Sequence, residues 1–543
     1  MANAFVNAVT RGAGSARTEN GAASYASLGT NLLDQFGKAG TNRGRDINAV
    51  FADQASLFRE DRKNSIRFPF YLRMITRQVE LKNGEKTETV QKGQGAKDEA
   101  FKRLLWFAKY EPDLFYANLW LLPVVGCWKD LWVLLSMDNT LDKEAFFKLF
   151  AEGIQNPSTR ELVRKYMPRI RSNKKCTTGW ATSTNELAKQ FAKFVGWSYK
   201  DYRNFKSEGT AHKFQTYMCQ GLYGQIDWNT IPGKALLNLV SGKFLANHNL
   251  SDSYLKWLEK QPVAKFNGYV YEFAQKLRGY YGLASIPKTT KMTIDKQFDN
   301  LIQTAKKDKG GIQGNVWVAL DTSGSMNTSV AGTDLRAVEL AKSLAIYFAE
   351  LNEGAFHNNI ISFDNTSHVF QLAEGTFTEK WYGRMPNVGC GGTNFQGVID
   401  EIIRVKRQHP EIPESDFPQT IIAVSDMQFN PAGGWGSSCS TGAAQTNYTA
   451  CVNKLRAAGF SDEFLKNWKM VWWYCVNRTT NDFPSNMDCP GTYMFSGFDG
   501  AIVTLLLGGD GFVDPKTGEK KTPTMQEMVE AALSQEVLEL VKA

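Results

Sequence analysis

Cysteine and histidine are scarce in this chain. Eight cysteines and five histidines are spread over 543 residues. The cysteines form no C-x-x-C pair and no histidine stands near them at zinc spacing, which excludes a zinc finger or ribbon and argues against a disulfide-stapled secreted fold. Cys439 and Cys451 flank a small-residue loop, and their spacing assigns them no bond. The histidines (His212, His248, His357, His368 and His409) are too scattered to build a Ser-His-Asp arrangement from spacing. A continuous apolar leader is missing from the opening MANAFVNAVTRGAGSART. The most apolar stretch, 114–135, is broken by Pro123, Lys129 and Asp130, so it reads as a buried helix and no membrane contact is expected. A P-loop is lacking as well: GCGGT and GGTNFQG supply the glycines, but no lysine follows them. Sparse cysteine points to a reducing cytoplasm, with a viral assembly equally open.

What is present is an ordinary globular composition. Apolar residues make up 43%, charged residues 22% and aromatics 12%, enough to fill large cores. At roughly 100–200 residues per domain the length allows two to four units. The net charge of +8 is unevenly placed. Residues 1–310 hold 47 Lys+Arg against 29 Asp+Glu, and residues 311–543 hold 16 against 26. A basic half suits a polyanion such as RNA, and an acidic half suits cations. A basic domain docking on an acidic one explains the split equally well.

Residues 1–45 are rich in Gly, Ala, Ser, Thr and Asn and read as an arm, either lying on the folded body or partly mobile. Residues 46–300 carry apolar positions at three-to-four spacing in segment after segment, among them DINAVFADQASLFRED, KDEAFKRLLWFAKYEPDLFYANLWLL, KEAFFKLFAEGIQ and TNELAKQFAKFVG. Many short helices in series predict a HEAT-like helical-repeat domain, an open solenoid or a closed ring, although no fixed repeat length is visible. KKDKGGIQG marks a boundary. In residues 311–543 strands alternate with helices, from VWVAL through NIISF and TIIAVSDM to MVWWYCV, with a last helix over Thr524–Lys542. This predicts a doubly wound, Rossmann-like α/β domain behind the helical one. Thr333 or Asp334 is the expected cap of the first helix.

Three segments of this second domain end at one sheet edge. Asp321 closes the first strand, in DTSGSM, with Ser323 and Ser325 in alternate positions after it. Asp426 directly follows the strand of TIIAVS, and Thr393 lies in the glycine-rich GCGGTNF before a helix. Ligands bind such sheets at the carboxyl edge. Two carboxylates and three hydroxyls, without thiol or imidazole, suit Mg²⁺ or Mn²⁺. Gly324 is expected to let the backbone turn both serines inward. A structural Asp-Ser turn without metal is the plainer alternative. Phosphoryl transfer would want a nearby lysine and a second acidic pair, which Lys342 and Asp426 do not supply. The small-residue insertion GGWGSSCSTGAAQTNYTAC after Asp426 is placed on the rim of this edge.

Asp321-x-Ser323-x-Ser325 with Thr393 and Asp426, in this order, resembles the metal-ion-dependent adhesion site of von Willebrand factor A domains. That resemblance implies direct ligation by Ser323 and Ser325, mainly water-mediated ligation by Asp321 and Asp426, and either mode for Thr393. It also implies an open position for an acidic group of a protein partner. TENGAASYASLGTNLLDQFGKAG, NLWLLPVVGCWKDLWVLL and DYRNFKSEGTAHKFQ…IDWNTIPGKALLNLVSGKF resemble an uncharacterised family related to the Ro autoantigen (TROVE) proteins, and FSGFDGAIVTLLLGGD resembles the end of a Ro-type A domain. Ro proteins form rings of helical repeats that bind structured small RNAs outside and single-stranded ends in the central hole. The resemblance therefore implies RNA as a partner. Two basic clusters are the candidate contacts. STRELVRKYMPRIRSNKK carries Arg160, Arg164, Lys165, Arg169, Arg171, Lys174 and Lys175 against the single acid Glu161. YKDYRNFKSEGTAHKF adds Lys200, Arg203, Lys206, His212 and Lys213, with Tyr199, Tyr202 and Phe205 between them to stack on bases. Core aromatics and a solvated charged face explain the same pattern. The expected function is a non-enzymatic, Ro-like RNA-binding or ribonucleoprotein component with a magnesium-dependent ligand site. The alternatives are a metal-dependent interaction scaffold or assembly component without RNA and, behind it, a metal-dependent hydrolase.

Overall fold

The computed structural model describes residues 16–543 except 76–77, 82–83, 88–91, 171–182, 209–212, 332, 384, 387, 390, 433–444, 477–481, 499, 509–511, 514–517 and 519. The chain divides into two compact units, one of residues 45–231 with 533–543 and one of residues 1–44 with 232–532.

The first unit is helical, and its helices are short because single residues both end one and start the next. Asp61 donates its backbone N–H to Leu57 at the end of Ile47–Glu60, while its side chain accepts from Asn64 N in Arg62–Arg73. Asn156 does the same between Lys143–Gln155 and Pro157–Tyr166, where Pro157 occupies the first helical position. The core is aromatic. Trp132 stacks on Phe150 at 3.9 Å, and Phe147 and Phe191 pack edge-on around them. Each such ring contributes about 1.5–3 kcal/mol by burial. The chain's last residues complete this unit: Arg67 pairs with Glu539 at 2.7 Å, and Asn118 exchanges hydrogen bonds with the backbone of Lys542.

The second unit is built on a six-stranded sheet: β1 (Val316–Asp321), β2 (Asn359–Phe363), β3 (Ser367–Gln371), β4 (Thr420–Ser425), β5 (Lys469–Tyr474) and β6 (Thr492–Ser496). The order is β3-β2-β1-β4-β5-β6, and every neighbouring pair is parallel except β2–β3. β1 lies at the centre, with Val318 opposite both Ile360 and Ile422, and all its residues are buried. Helices Ala337–Leu351, Gln396–Gln408 and Asn447–Ala457 form the crossovers.

Residues 16–44 lie on the folded body. A hairpin pairs Ala16–Arg17 with Ala23–Ser24, and the helix Asn31–Lys38 packs on β6. A Cβ on Gly37 would sit 3.2 Å from Met494, and one on Gly40 would collide with the Gly497 backbone at 2.3 Å. These small residues let helix and strand approach closely. The helices between Gly233 and Lys309 also join the sheet unit, whereas the sequence bounds of 46–300 and 311–543 put them with the helical domain. Their attachment is specific: Asp295 on helix Lys288–Lys309 accepts from both the N–H and the hydroxyl of Thr378. Two helix bounds differ from expectation. The first crossover helix begins at Ala337, because Thr333 folds back in a turn with Val330. The expected helix over 524–542 is two, Met525–Leu533 and Glu536–Glu539. Among the described residues no helix is long and apolar enough to cross a membrane.

Candidate metal-binding edge and basic helical face

β1 delivers Asp321 to the carboxyl edge fully buried. One carboxylate oxygen accepts the Ser323 N–H at 2.8 Å and the other the Ser425 hydroxyl at 2.5 Å. The Ser323 and Ser325 hydroxyls lie 3.1 Å apart. Gly324 does not adopt a left-handed conformation. It opens the short 3-10 turn Gly324–Asn327 and donates to Gly391 O at 3.2 Å, so its role is to join the first loop to the glycine-rich one. Gly389 N–H to Thr322 O at 2.8 Å makes a second tie between those loops. The glycine-rich loop in turn holds the loop after β4, where Asn430 N–H donates to Thr393 O at 2.8 Å. Backbone bonds thus bring together the three segments carrying Asp321, Ser323, Ser325, Thr393 and Asp426. Asp321, Ser323, Thr393 and Asp426 are all at most 1% exposed.

The electrostatics of this edge are unbalanced. Burial, reinforced by the Asp426 charge, lifts the Asp321 carboxyl to about 7, although hydrogen bonds from Ser425 and Ser323 pull the other way. Cys475, which donates its backbone N–H to Ser425 O, has its thiol held well above the usual range by burial and then by Asp426 and Asp321. The thiol is therefore a neutral neighbour of the two carboxylates. Met427, directly after Asp426, has φ of 63°. A non-glycine residue there costs on the order of 1–3 kcal/mol. Its N–H donates to the Ser425 hydroxyl at 2.9 Å, and Gln428 N–H donates to the Asp426 carboxylate at 3.2 Å. A divalent cation would relieve the repulsion between the two carboxylates, and the hard oxygens present fit Mg²⁺ or Mn²⁺. Among the described residues no group of three or more His, Cys, Asp or Glu is placed to hold a metal. Any ion here would depend on the hydroxyls. Much of the insertion over 433–451, and Cys439 with it, lies outside the described residues.

The basic clusters sit in the helical unit. Residues 45–231 and 533–543 carry 31 Lys+Arg against 23 Asp+Glu, while the rest of the chain carries 32 of each. The chain's whole positive excess therefore lies in this unit. Arg160, Arg169, Lys200 and Arg203 are exposed and Lys165 is half-buried, on or beside helices Pro157–Tyr166 and Tyr199–Ser207. Arg164 is turned inward: it pairs with Glu161 at 3.1 Å and stacks over Phe205 at 4.3 Å. Lys206 aims its ammonium at the Arg164 and Lys165 carbonyls, at 3.3 and 3.4 Å, and burial and Arg169 push it down to about 8. The aromatics expected to stack on bases are mostly core. Tyr202 is fully buried with its hydroxyl on Pro168 O, Phe205 is buried under the arginines, and only Tyr199 is exposed. Arg171, Lys174, Lys175 and His212 lie outside the described residues.

A domain of unknown function, DUF7788, matches residues 317–541. An uncharacterized protein, L728, of Acanthamoeba polyphaga mimivirus is 20% identical over 529 residues, covering 91% of this chain and 85% of its own length. The crystal structure of the Deinococcus radiodurans RO (RSR) protein aligns with 88% of this chain and 98% of its own, at 13% identity and a TM-score of 0.44.

Proposed function

We propose that the chain is a non-enzymatic binding protein that uses the carboxyl edge of its sheet to hold a divalent cation and, through it, an acidic group of a partner. The observation that carries this is the buried Asp321–Asp426 pair, which raises Asp321 to about 7 in a setting of hydroxyls without thiolate or imidazole. Asp321, Ser323, Ser325, Thr393 and Asp426 would hold the ion, which would supply an electrophilic position for a carboxylate or phosphate. The sequence spacing offers no paired lysine and no Ser-His-Asp arrangement for general acid–base work there, which favours recognition over hydrolysis. Titration with Mn²⁺ followed by electron paramagnetic resonance tests the reading. Wild type should bind and release Mn²⁺ to excess Mg²⁺, and Asp321→Ala should weaken binding by about 100-fold or more. Mn²⁺ binding that survives Asp321→Ala unchanged removes the reading.

A second reading, RNA binding by the helical unit, is favoured by the exposed Arg160, Arg169, Lys200 and Arg203 and by the positive excess confined to that unit. It accords with the Ro-type sequence resemblance. Mobility shift with a structured RNA over a salt series checks it. Charge reversal at Arg160, Arg169 and Arg203 should weaken binding and flatten the salt dependence. An unchanged complex sinks this surface.

A further inference from the structure

The loop that carries Asp426 is tied on its far side to the opening of the chain. Thr18 donates its hydroxyl to Phe429 O at 2.7 Å, Glu19 its backbone N–H to the Gln428 side-chain oxygen at 2.6 Å, and Asn20 its amide to Gln428 O at 2.5 Å. The Gln428 amide donates to the Asp482 carboxylate, which also faces Lys38 at 3.8 Å. Two further bridges complete the strap: Tyr25 and Phe483 exchange backbone hydrogen bonds, and Ala23 pairs with Thr446 just before helix Asn447–Ala457. Gln428 is 1% exposed; its side-chain oxygen accepts from Glu19 and its amide donates to Asp482. Its backbone N–H meanwhile braces the Asp426 carboxylate, across a left-handed Met427 that needs outside support.

We infer that Gln428 is a positioning residue for the cation site, and that the strap of residues 18–25 sets the site's affinity by fixing Asp426 through it. The inference rests on the proposed metal reading. It goes beyond that reading because none of these residues would touch the ion. A ligand carboxylate held in place by outer partners typically loses about 10–100-fold in metal affinity when a partner is removed.

The test is Mn²⁺ titration of the full chain, with circular dichroism and metal-free thermal melts as the fold control. Gln428→Ala and Asn20→Ala should each weaken Mn²⁺ binding, the first by about tenfold or more, with the fold retained. Gln428→Glu should weaken it too, because its second oxygen faces the Asp482 carboxylate. Adding Asp482→Asn should restore affinity toward wild type, since the amide placed at 482 donates to the carboxylate placed at 428. A purely structural role predicts no such reciprocal rescue. Wild-type affinity in Gln428→Ala and Asn20→Ala, or failure of the double variant to recover, overturns the inference and leaves the metal reading standing. If wild type itself binds no Mn²⁺, the metal reading falls and the inference with it.

Discussion

The helical unit and the carboxyl edge of the sheet handle buried charge in opposite ways. In the helical unit buried charges are paired. Arg103 holds Glu99 at 2.9 Å and Gln54 at 2.9 Å, with Arg45 bridging Glu99 and Asp53. Asp130 is clasped by Arg73 and Lys97 and accepts the Cys127 N–H at 2.8 Å. At the sheet edge two carboxylates, Asp321 and Asp426, repel each other, and hydroxyl and backbone donors offset only part of the cost. The first arrangement is complete as folded. Under the proposed reading the second would be completed by a cation, which would make it a site and the other a scaffold.

The largest effect should come from breaking a complete pair. Arg103→Met takes from the buried Glu99 its closer partner, leaving Arg45 at 3.4 Å, and should destabilise the helical unit by about 3 kcal/mol, read by urea unfolding. The same kind of change at the sheet edge should do the reverse. In metal-free protein at about pH 8, Asp321→Asn removes the repulsion and should stabilise by roughly 1–2 kcal/mol. The sign follows from the raised carboxyl. A folded-state value near 7 against 3.8 unfolded means the native state binds the proton more tightly. Metal-free wild type therefore loses stability as pH rises from about 4 through 7. At about pH 5 Asp321 is protonated in the folded state, and the gain from Asp321→Asn should be smaller than at about pH 8. Mg²⁺ should raise the melting temperature of wild type more at about pH 8 than at about pH 5, since below 7 it competes with that proton. Equal Mg²⁺ shifts at both pH values would count against Asp321 as a ligand. The smallest effect concerns the basic face. Lys206→Gln should leave RNA binding nearly unchanged, because its ammonium faces helix carbonyls, whereas Arg203→Gln should lower the salt slope by about 1.

The sheet was readable because its central strands are continuous apolar runs between turns, and Val316–Leu320, Asn359–Phe363 and Thr420–Ser425 stand close to where alternation places them. Strand β6 escaped notice: TYMFS is short, enclosed by Gly491 and Gly497, and buried by a helix from the far end of the chain. The five candidate cation ligands were legible since each follows an apolar strand or precedes a helix. Gln428 was not. Its partners are residues 18–20, some 400 positions away, and no local pattern marks such a contact. The basic clusters misled in part for the same reason. Spacing cannot tell an arginine that stacks on Phe205 from one that faces solvent.

The helix Asn31–Lys38 covers the last strand of the sheet, and residues 533–543 complete the helical unit. The helix Asn31–Lys38 meets a strand more than 450 residues further along, and Arg67 pairs with Glu539, 472 positions away. Contacts of such sequence separation form slowly and leave apolar faces open in the meantime. Removal of residues 533–543 should therefore leave the helical unit unfinished, and removal of residues 16–38 should leave the last strand of the sheet uncovered.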